Sequence, residues 1–521
     1  MKAHHGEYHL AIVGSGISAA YTLIHLVSRL ERNPSGPPIK VVVIEKSGEF
    51  WTGVPYGSRS SRDVLLISSL REFLPLEKER APFVAWLKKN RSRLFPQTDE
   101  TPGALTAQWL CANRQAMDEG RWDDLFIPRF TFGLYVQERL TALLHQAAAR
   151  GILECELLHG DTLDIQQSGA DHTLDVALAA GNPVTLQAKK VVLAIGSPQD
   201  SAWQTSKLQG SDPQGCFIED LYVPSLSANL RQIEDFLQTP AGHRNNQVLI
   251  AGSNASALEA LYLLNNSKAA ADRIGKFLVV SPSGEFPHRI NPAPNPVGFP
   301  PENLRALVER KARSAQEILE AVARDVANAR AHGASIADMH GEISTGIITA
   351  LDQLAPGEQQ DFVARVGVEI GRLQRRAGSE YLGVVDRLVG EGKLEFVKGR
   401  LSGLAAAEVE NPGFFYQTDR DLPPVRREAP VGITIGCVGS TDLARSPASL
   451  MQNLIRRKIC TPNPSRRGFI INERYEASKN FYIMGPLIAG NHVGTVRIWH
   501  AESCHRIISM AQRFADVLIQ E

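Results

Sequence analysis

The chain has 521 residues, and its 56 Lys and Arg side chains balance its 56 Asp and Glu side chains. This length is enough for about three domains. A net charge of zero excludes the strong field that draws proteins to nucleic acid or to an anionic membrane. No apolar stretch approaches the roughly 18 residues that a membrane span needs, and the beginning of the chain is too polar for a signal peptide. We therefore expect a cytoplasmic protein.

The N-terminal part of the chain carries the clearest motif. An apolar run over His9–Val13 has the length of a strand, and the turn Gly14–Ala19 follows in the pattern G-x-G-x-x-A. Residues 20–30 have helical spacing, and an apolar run over residues 40–44 predicts a second strand that ends in Glu45. Strand, glycine turn, helix, strand and terminal acid in this order predict a dinucleotide-binding unit. The alternative is a glycine turn of another kind of α/β protein.

Each small residue of this turn has a physical use. Gly14 allows the tight turn, Gly16 lets backbone approach a pyrophosphate, and Ala19 lets the helix pack against the strand. The helix N-terminus offers free N–H groups to phosphates, and Glu45 can accept hydrogen bonds from ribose hydroxyls. Glu45 lies further on than the usual 20 or so residues, because a proline-rich loop precedes its strand. Two further candidate cofactor contacts are Ser18 and Lys46.

A second unit of this kind begins near the middle of the chain. Residues 248–251 predict a strand, Gly252–Ala257 form a turn, residues 258–264 predict a helix, and residues 277–280 predict another strand. Asn254 stands where the second glycine belongs, and Asn tolerates the left-handed backbone region, so the turn stays feasible. The alternative is a turn that binds nothing and only closes an α/β core. The candidate cofactor contacts in this turn are Gly252, Asn254, Ser256 and Ala257.

The last strand of the second unit ends without an acid. Ser281 and Ser283 follow it, and Lys276, His288 and Arg289 lie nearby in the sequence. An acid would favour the free 2′-hydroxyl of NADH, whereas hydroxyl groups and cations suit a 2′-phosphate. We therefore expect Ser281 and Ser283 to contact NADPH, with NADH left open.

Two later segments indicate what the first unit binds. Residues 190–198 predict a strand that ends at the turn residue Gly196, and residues 481–487 predict a strand that ends at Gly485 and Pro486. Together with the two glycine turns, these segments resemble flavoproteins with two dinucleotide-binding domains of the glutathione-reductase type. The resemblance implies an α/β fold with two Rossmann-like dinucleotide-binding domains and a helical insertion. It also implies that FAD binds to the first unit.

The same resemblance implies where the domains begin and end. We expect the first part of the FAD-binding domain over residues 1–205 and its C-terminal part over residues 406–521. The NAD(P)H-binding domain is expected over residues 206–405, with the helical insertion at about 300–390. Asn491, which follows the late glycine turn, is expected to contact the FAD.

A string after the first unit narrows the resemblance. Phe50–Gly57 reads FWTGVPYG and contains G-x-x-Y directly after the ribose acid. This order resembles a bacterial FAD-NAD(P)-binding family that is similar to the N-hydroxylating monooxygenases of ornithine, lysine or aspartate. The resemblance makes Trp51 and Tyr56 candidate cofactor contacts. Trp51 echoes an aromatic-Trp-His loop beside the flavin, although Thr52 replaces the His. Otherwise Trp51 covers the edge of the cofactor pocket.

The family resemblance implies a flavin-dependent oxidoreductase, and favours an NAD(P)H-dependent FAD monooxygenase. It would N-oxygenate a small amine or amino acid through a flavin C4a-hydroperoxide, a chemistry that belongs to the cofactor. Asn291 and Asn295, in a proline-rich loop, are candidates to hold the nicotinamide amide. Arg497 is a candidate to hold a substrate carboxylate. However, an Asn before Pro is also ordinary turn chemistry, and an Arg of this kind is often solvated or paired.

Two other functions stay open from the sequence. The same two units suit a flavin dehydrogenase or reductase without oxygen transfer, and also a non-catalytic nucleotide-binding redox sensor. The six cysteines contain no C-x-x-C pair, which argues against a flavin disulfide reductase. They also lack metal-ligand spacing, so we expect no metal. The expected partners are a small-molecule substrate and dioxygen, with no nucleic acid and no membrane, and a homo-oligomer is left open.

Overall fold

A computed structural model of the chain describes most of its residues. The described residues are 3–32, 37–95, 104–198, 215–290, 299–334, 336–404, 413–419, 421–439, 442–494, 496–499 and 503–520. Within them no helix is long and apolar enough to cross a membrane.

The strands belong to two large sheets, the first mostly parallel and the second wholly parallel, and to several small sheets of two or three strands. In chain order they are β1 (Ala3–Val13), β2 (Ile39–Glu45), β3 (Leu153–Ser168), β4 (Asp171–Leu178), β5 (Val184–Leu193), β6 (Cys216–Ile218), β7 (Gln247–Ala251), β8 (Lys276–Ser281), β9 (His288–Arg289), β10 (Arg376–Ala377), β11 (Leu394–Lys398), β12 (Arg400–Leu404), β13 (Gly413–Gln417), β14 (Val425–Glu428), β15 (Val431–Gly436), β16 (Glu476–Ser478), β17 (Phe481–Ile483), β18 (Asn491–Val493) and β19 (Val496–Ile498).

The helices connect these strands and form an insertion of their own. In chain order they are α1 (Ile17–Arg32), α2 (Gly53–Tyr56), α3 (Leu70–Phe73), α4 (Glu77–Leu94), α5 (Ala104–Asp118), α6 (Phe130–Ala149), α7 (Leu226–Leu237), α8 (Pro240–Arg244), α9 (Ala255–Asn266), α10 (Glu302–Arg310), α11 (Ala315–Ala331), α12 (Ile336–Gln353), α13 (Pro356–Asp361), α14 (Gly367–Leu373), α15 (Ser379–Gly390), α16 (Ser449–Arg456) and α17 (Cys504–Ile519).

The first sheet is built from both ends of the chain. Its parallel core has the order β3-β2-β1-β5-β17, and β4 pairs antiparallel with both β3 and β5. Residues 10–13 of β1 and 41–44 of β2 are buried, as expected for parallel strands that are covered on both faces. In the late strand β17, Phe481 pairs with Val191 of β5. The last part of the chain therefore completes the sheet that the first part begins.

The second sheet lies in the middle of the chain and repeats the pattern of the first. Its strands are all parallel, in the order β11-β8-β7-β15-β6. In both sheets a strand, a glycine turn and a helix lead to a neighbouring parallel strand, β1-α1-β2 in one and β7-α9-β8 in the other. The chain later returns to the other side of the starting strand, with β5 or β15. This duplication confirms the predicted α/β fold with two Rossmann-like units.

The predicted elements differ from the structure mainly at their ends. Helix α1 begins at Ile17, inside the glycine turn, because the last residues of the G-x-G-x-x-A pattern already form the first helical turn. The domain limits near residues 205 and 405 stay predictions. Strand β15 pairs with β7, so the chain is still in the second sheet at Gly436.

Helices α10 to α14 form a hydrophobic core of their own, which includes Leu304, Ile318 and Phe362. Trp499, from the C-terminal segment, enters this core, and its ring lies 5.3 Å from that of Phe362. A Cβ atom on Gly367 would lie 2.6 Å from the Trp499 ring, so only glycine leaves room for the indole. The insertion is therefore held by the C-terminal segment as well as by its own packing.

One close contact in the first unit allows a test of how α2 packs against α6. A Cβ atom on Gly133, in α6, would lie 2.2 Å from the backbone oxygen of Tyr56 in α2. Because backbone cannot move aside as a flexible side chain can, we expect Gly133→Ala to lower the free energy of unfolding by about 1–3 kcal/mol. The measurement is denaturant unfolding of the purified protein.

The matched control is Gly383→Ala, in the exposed middle of α15, where an added Cβ atom meets nothing within 4 Å. Alanine is the better helix former, so this change should stabilise the protein by up to about 1 kcal/mol. Equal effects of the two substitutions would show that α2 does not pack against α6 as described.

Candidate functional site

The first glycine of the N-terminal turn is required by the neighbouring strand. Gly14 has a φ of 91°, and its N–H donates to the backbone oxygen of Ile44 at 2.8 Å. A Cβ atom at this position would lie 2.6 Å from the oxygen of Ala194, just after β5. A residue with a side chain therefore cannot replace Gly14 while β5 lies beside β1.

The second glycine of the turn opens onto free space. A Cβ atom on Gly16 would meet only Gly53, at an ordinary 3.6 Å, and one on Gly196 would meet nothing within 4 Å. Gly16 does not have a positive φ, so its backbone does not need glycine. The small residue instead leaves a gap at the N-terminus of α1, where the N–H groups of a helix start are available to an anion.

Glu45 is fixed at the end of β2 by two serines. Its carboxylate accepts hydrogen bonds from the N–H and hydroxyl of Ser15 at 3.0 and 2.9 Å, and from those of Ser47 at 2.9 and 2.7 Å. The acid thus lies directly beside the glycine turn, as a ribose contact requires. Lys46 points elsewhere, because its side chain is exposed and forms an ion pair with Asp161 at 2.7 Å.

The segment after β2 covers the first turn. Trp51 is only 2% exposed and has a φ of 79°. Its backbone N–H donates to the backbone oxygen of Ser15 at 2.9 Å. Tyr56 packs edge-on against Phe132, with ring centres 5.2 Å apart, and burial holds the pKa of its phenol well above the usual range. Beside this cover lies a cleft of about 490 Å³, lined in part by Trp51 and Leu157. Its lining mixes these apolar side chains with polar ones such as Ser47, Glu49 and Gln137.

The late glycine turn meets the first one. Gly485 has a φ of 83°, and a Cβ atom there would lie 2.6 Å from the hydroxyl of Ser18 in α1. Pro486 follows in a short 3-10 turn. Asn491 lies further on, and its amide is used by the loop itself, since it donates to the oxygens of Phe469 and Ile488 at 2.7 and 2.8 Å.

The second turn repeats the geometry of the first. Gly252 has a φ of 108°, and a Cβ atom there would lie 2.3 Å from the oxygen of Cys437, just after β15. Asn254 has a φ of −105° and an extended backbone, so the left-handed conformation considered for it does not occur and is not needed. Its side-chain oxygen instead accepts a hydrogen bond from the guanidinium of Arg375.

Three serine hydroxyls meet where β8 ends. The hydroxyl of Ser283 lies 3.2 Å from that of Ser281 and 3.4 Å from that of Ser253. Ser253 occupies the place in the second turn that Ser15 occupies in the first, so hydroxyl groups replace the Glu45 carboxylate. Lys276 does not belong to this group, because it begins β8 and forms an ion pair with Glu395 at 2.8 Å.

The remaining residues of the second turn lie along α9. Ala257 is completely buried and lets the helix approach the sheet. The hydroxyl of Ser256 lies 3.3 Å from that of Tyr222. These contacts place Ser256 in the first turn of α9, near the expected position of the phosphates.

Of the three candidate catalytic residues, the structure describes only Arg497. Asn291 and Asn295 lie outside the described residues. Arg497, on β19, forms an ion pair with Asp352 of α12 at 2.6 Å. Partial burial, together with the neighbouring Arg497, lowers the pKa of His492. Arg497 therefore faces the helical insertion, and its role with a substrate stays a prediction.

Sequence reasoning missed several residues of these turns. Ser15 and Ser253 were detectable, since they follow the first glycine of both turns, and comparing the two turns would have revealed them. Arg375 had no local signal, because it reaches Asn254 from a position 121 residues further along the chain.

Comparisons with known proteins agree with this duplicated architecture. A family model described as FAD-NAD(P)-binding matches residues 11–198. Uncharacterised proteins of Mycobacterium tuberculosis and Mycobacterium bovis are each 30% identical over 514 residues, which is 98% of this chain and 95% of each relative.

Several solved structures share the fold at low sequence identity. A cadaverine monooxygenase from Erwinia amylovora, solved with FAD, is 11% identical with a TM-score of 0.53, and the match covers 99% of this chain and 94% of that one. The reduced form of an ornithine hydroxylase from Pseudomonas aeruginosa is 13% identical with a TM-score of 0.51, covering 98% and 100%. A lysine monooxygenase from Nocardia farcinica is 12% identical with a TM-score of 0.51, also covering 98% and 100%.

The two glycine turns, with their duplicated sheets, define a dinucleotide-binding protein with two Rossmann-like units. The first unit matches the FAD-NAD(P)-binding model, which confirms that resemblance. The chain belongs to the same family as the two mycobacterial proteins, and its residues 11–198 match the FAD-NAD(P)-binding model.

The contrast between the two N-terminal glycines gives a test of the first site. In Gly16→Ala the added Cβ atom has room in the protein but would occupy the approach to the pyrophosphate. Hydrogen bonds to a charged group contribute about 1.5–3 kcal/mol, so losing one should weaken FAD binding about tenfold or more. Flavin titration of the apoprotein measures this affinity.

Gly14→Ala is the comparison variant. Its Cβ atom would meet backbone at 2.6 Å at a positive φ, so we expect lower stability of the apoprotein, by roughly 1–3 kcal/mol. Gly16→Ala should unfold at the wild-type temperature without flavin. Wild-type FAD affinity in Gly16→Ala would argue against a cofactor at this turn.

Proposed function

We propose that the protein is an NADPH-dependent FAD monooxygenase that N-oxygenates a small amine or amino acid. The observation that carries this proposal is that the two glycine turns have the same geometry, whereas the strands β2 and β8 end in different residues. An acid follows the first turn, and three hydroxyl groups follow the second. Two dinucleotides would suit these ends, one with free ribose hydroxyls and the other with a 2′-phosphate.

The residues of the first turn support FAD as its ligand. Gly16 and Gly196 leave space for the pyrophosphate, Glu45 would accept from ribose hydroxyls, and Ser18 with Gly485 would border the cofactor from the late turn. When bound, the flavin supplies the two-electron chemistry and the reaction with dioxygen. The protein would orient the cofactor and keep water out, and the buried Trp51 would serve that purpose.

The residues of the second turn support NADPH. Ser253, Ser281 and Ser283 offer hydroxyl donors in place of the acid that would repel a 2′-phosphate. The nearby Glu285 is paired with Arg330 at 3.5 Å. Arg375, held against Asn254, would add a positive charge near the pyrophosphate. This charge would offset the loss of close backbone approach that results from Asn254 in place of glycine.

The proposed substrate class rests on the proteins that share the fold. Three of them are named as an ornithine hydroxylase, a cadaverine monooxygenase and a lysine monooxygenase, which act on amines. The proposed reaction is R–NH2 + O2 + NADPH + H+ → R–NHOH + NADP+ + H2O. One oxygen atom enters the N–O bond and the other leaves as water. A cytoplasmic location is part of the proposal, and the six free cysteines are compatible with it.

Isotope labelling decides between oxygen transfer and simple electron transfer. A panel of diamines and amino acids is incubated with the protein, FAD, NADPH and 18O2, and products are analysed by mass spectrometry. We expect one substrate to stimulate NADPH oxidation and to gain one labelled oxygen atom on nitrogen.

Each other outcome supports a different function. NADPH oxidation that reduces another compound, without adding labelled oxygen to it, would indicate a flavin dehydrogenase or reductase. Binding of both cofactors without flavin reduction would indicate a nucleotide-binding redox sensor.

The cofactor preference can be tested at the exposed Ser283. In Ser283→Asp a carboxylate enters the hydroxyl group cluster and would repel a 2′-phosphate. At about 4 Å this repulsion amounts to a few kcal/mol near a protein surface, so we expect kcat/KM for NADPH to fall about tenfold or more. The value for NADH should stay unchanged or rise.

Ser379→Asp, at the exposed start of α15, controls for the added charge and should leave both values near those of the wild type. An unchanged ratio of kcat/KM for NADPH to kcat/KM for NADH in Ser283→Asp would show that the end of β8 does not lie beside the 2′-position of the bound nucleotide.

A further inference from the structure

The two units contact each other through two segments of the first unit. The N–H of Leu226 donates to the oxygen of Arg59 at 2.9 Å, and the N–H of Gly378 donates to the oxygen of Ile67 at 3.0 Å. The hydroxyl of Tyr381 exchanges hydrogen bonds with the N–H and oxygen of Leu65, both at 2.9 Å. These contacts place residues of the second unit directly against residues 59–67.

A buried ion pair crosses the same interface. Arg129, which caps α6, binds the carboxylate of Glu259 in α9 through two contacts of 2.5 and 3.0 Å. Its guanidinium also donates to the hydroxyl of Ser60 at 2.9 and 2.7 Å. The side chains of Arg129 and Glu259 are only 11% and 3% exposed. A two-point contact of this kind defines the relative orientation of its two partners.

The ion pair reaches the second glycine turn through a tyrosine. The hydroxyl of Tyr222 donates to Glu259 at 2.6 Å and lies 3.3 Å from the hydroxyl of Ser256. Glu259 is one helical turn beyond Ser256 in α9, and both face Tyr222. A continuous path therefore runs from Arg129 at the start of α6 to the first turn of α9.

The charges along this path stabilise one another. Burial by itself would lower the pKa of Arg129, but Glu259 and then Tyr222 outweigh it and hold that pKa above its ordinary value. Burial, followed by the Glu259 carboxylate, raises the pKa of Tyr222. Arg129 thus stays charged and Tyr222 stays protonated across the range of pH at which proteins work. A buried charge that loses its partner is strongly unfavourable, so the two units are held in one arrangement.

We propose that Arg129, Glu259 and Tyr222 form an interdomain clamp that positions the second dinucleotide site against the first. The proposal rests on the proposed function, because hydride transfer between two dinucleotides requires their reacting atoms to be held at about 3–3.5 Å. The clamp acts at α9, the helix whose N-terminus carries the second turn. Its members are positioning residues, since none of them needs to touch the reacting atoms.

The first experiment measures flavin reduction by NADPH without oxygen, in a stopped-flow instrument. Because a displacement of about 1 Å can cost about 100-fold in rate, we expect Glu259→Gln to lower the limiting rate about tenfold or more. The Kd for NADPH and the rate of reduction by dithionite should stay within about twofold. Tyr222→Phe, which removes one hydroxyl and no charge, should give a smaller fall in the limiting rate and keeps the test valid if Glu259→Gln is unstable.

The matched control is Glu72→Gln. Glu72 also forms an ion pair across the interface, with Arg376 at 2.9 Å, but neither of these side chains bonds to Glu259 or Tyr222. It should leave the limiting rate within about twofold of the wild-type value. A fall in Glu72→Gln equal to that in Glu259→Gln would overturn the clamp, since any loosening of the interface would then act alike.

A second experiment is independent of catalysis. Spin labels on the exposed Cys111 of the first unit and on Lys268→Cys of the second report the distance between the units by double electron–electron resonance. We expect one narrow distribution in the parent protein and in Glu72→Gln, and a broader or shifted one in Glu259→Gln. An unchanged distribution in Glu259→Gln would overturn the clamp. If NADPH does not reduce the flavin bound to the wild-type protein, the proposed function is contradicted. The distance measurement would still test the clamp in that case.

Discussion

The whole arrangement depends on the lack of space at the first glycine of each turn. Gly14 lies against the backbone after β5, and Gly252 lies against the backbone after β15. In both places the backbone after the neighbouring strand, β5 or β15, occupies the space that a side chain would need. This contact brings the carboxyl ends of three neighbouring strands to one edge, together with the N-terminus of a helix. The anion-binding geometry of both units follows from that single constraint.

The two units use this common frame with different chemistry. In the first, Glu45 is tied to the turn through Ser15. In the second, the equivalent Ser253 meets Ser283, and an arginine from the end of the helical insertion contacts the turn. The frame is therefore duplicated, and the two units differ in a few side chains at the strand ends. This division explains how one chain can hold two related dinucleotides at distinct places.

The helical insertion links parts of the chain that the two sheets leave separate. Its core takes up Trp499 from the C-terminal segment, and Asp352 binds Arg497 of the β18–β19 hairpin. At its other end, Arg375 reaches the second turn. The insertion thus contacts both the late part of the first unit and the nucleotide turn of the second. Together with the Arg129–Glu259 pair, it restricts how the two units can move against each other.

The sequence by itself determined the two turns, their flanking strands and helices, and hence the α/β class. These features are local: a small residue, a strand-length apolar run and a helical repeat each act over a few residues, so their order can be read along the chain. It also determined the difference between an acid at Glu45 and serines at Ser281 and Ser283.

Only the tertiary structure decided which distant residues complete the turns. The contact of Gly485 with Ser18, the bond from Arg375 to Asn254, and the ion pair of Arg129 with Glu259 join residues separated by more than a hundred positions. It also directed Lys46 and Arg497 into ion pairs and the Asn491 amide into its own loop. Such partners are set by how sheets and helices pack, and packing depends on side chains from the whole chain at once.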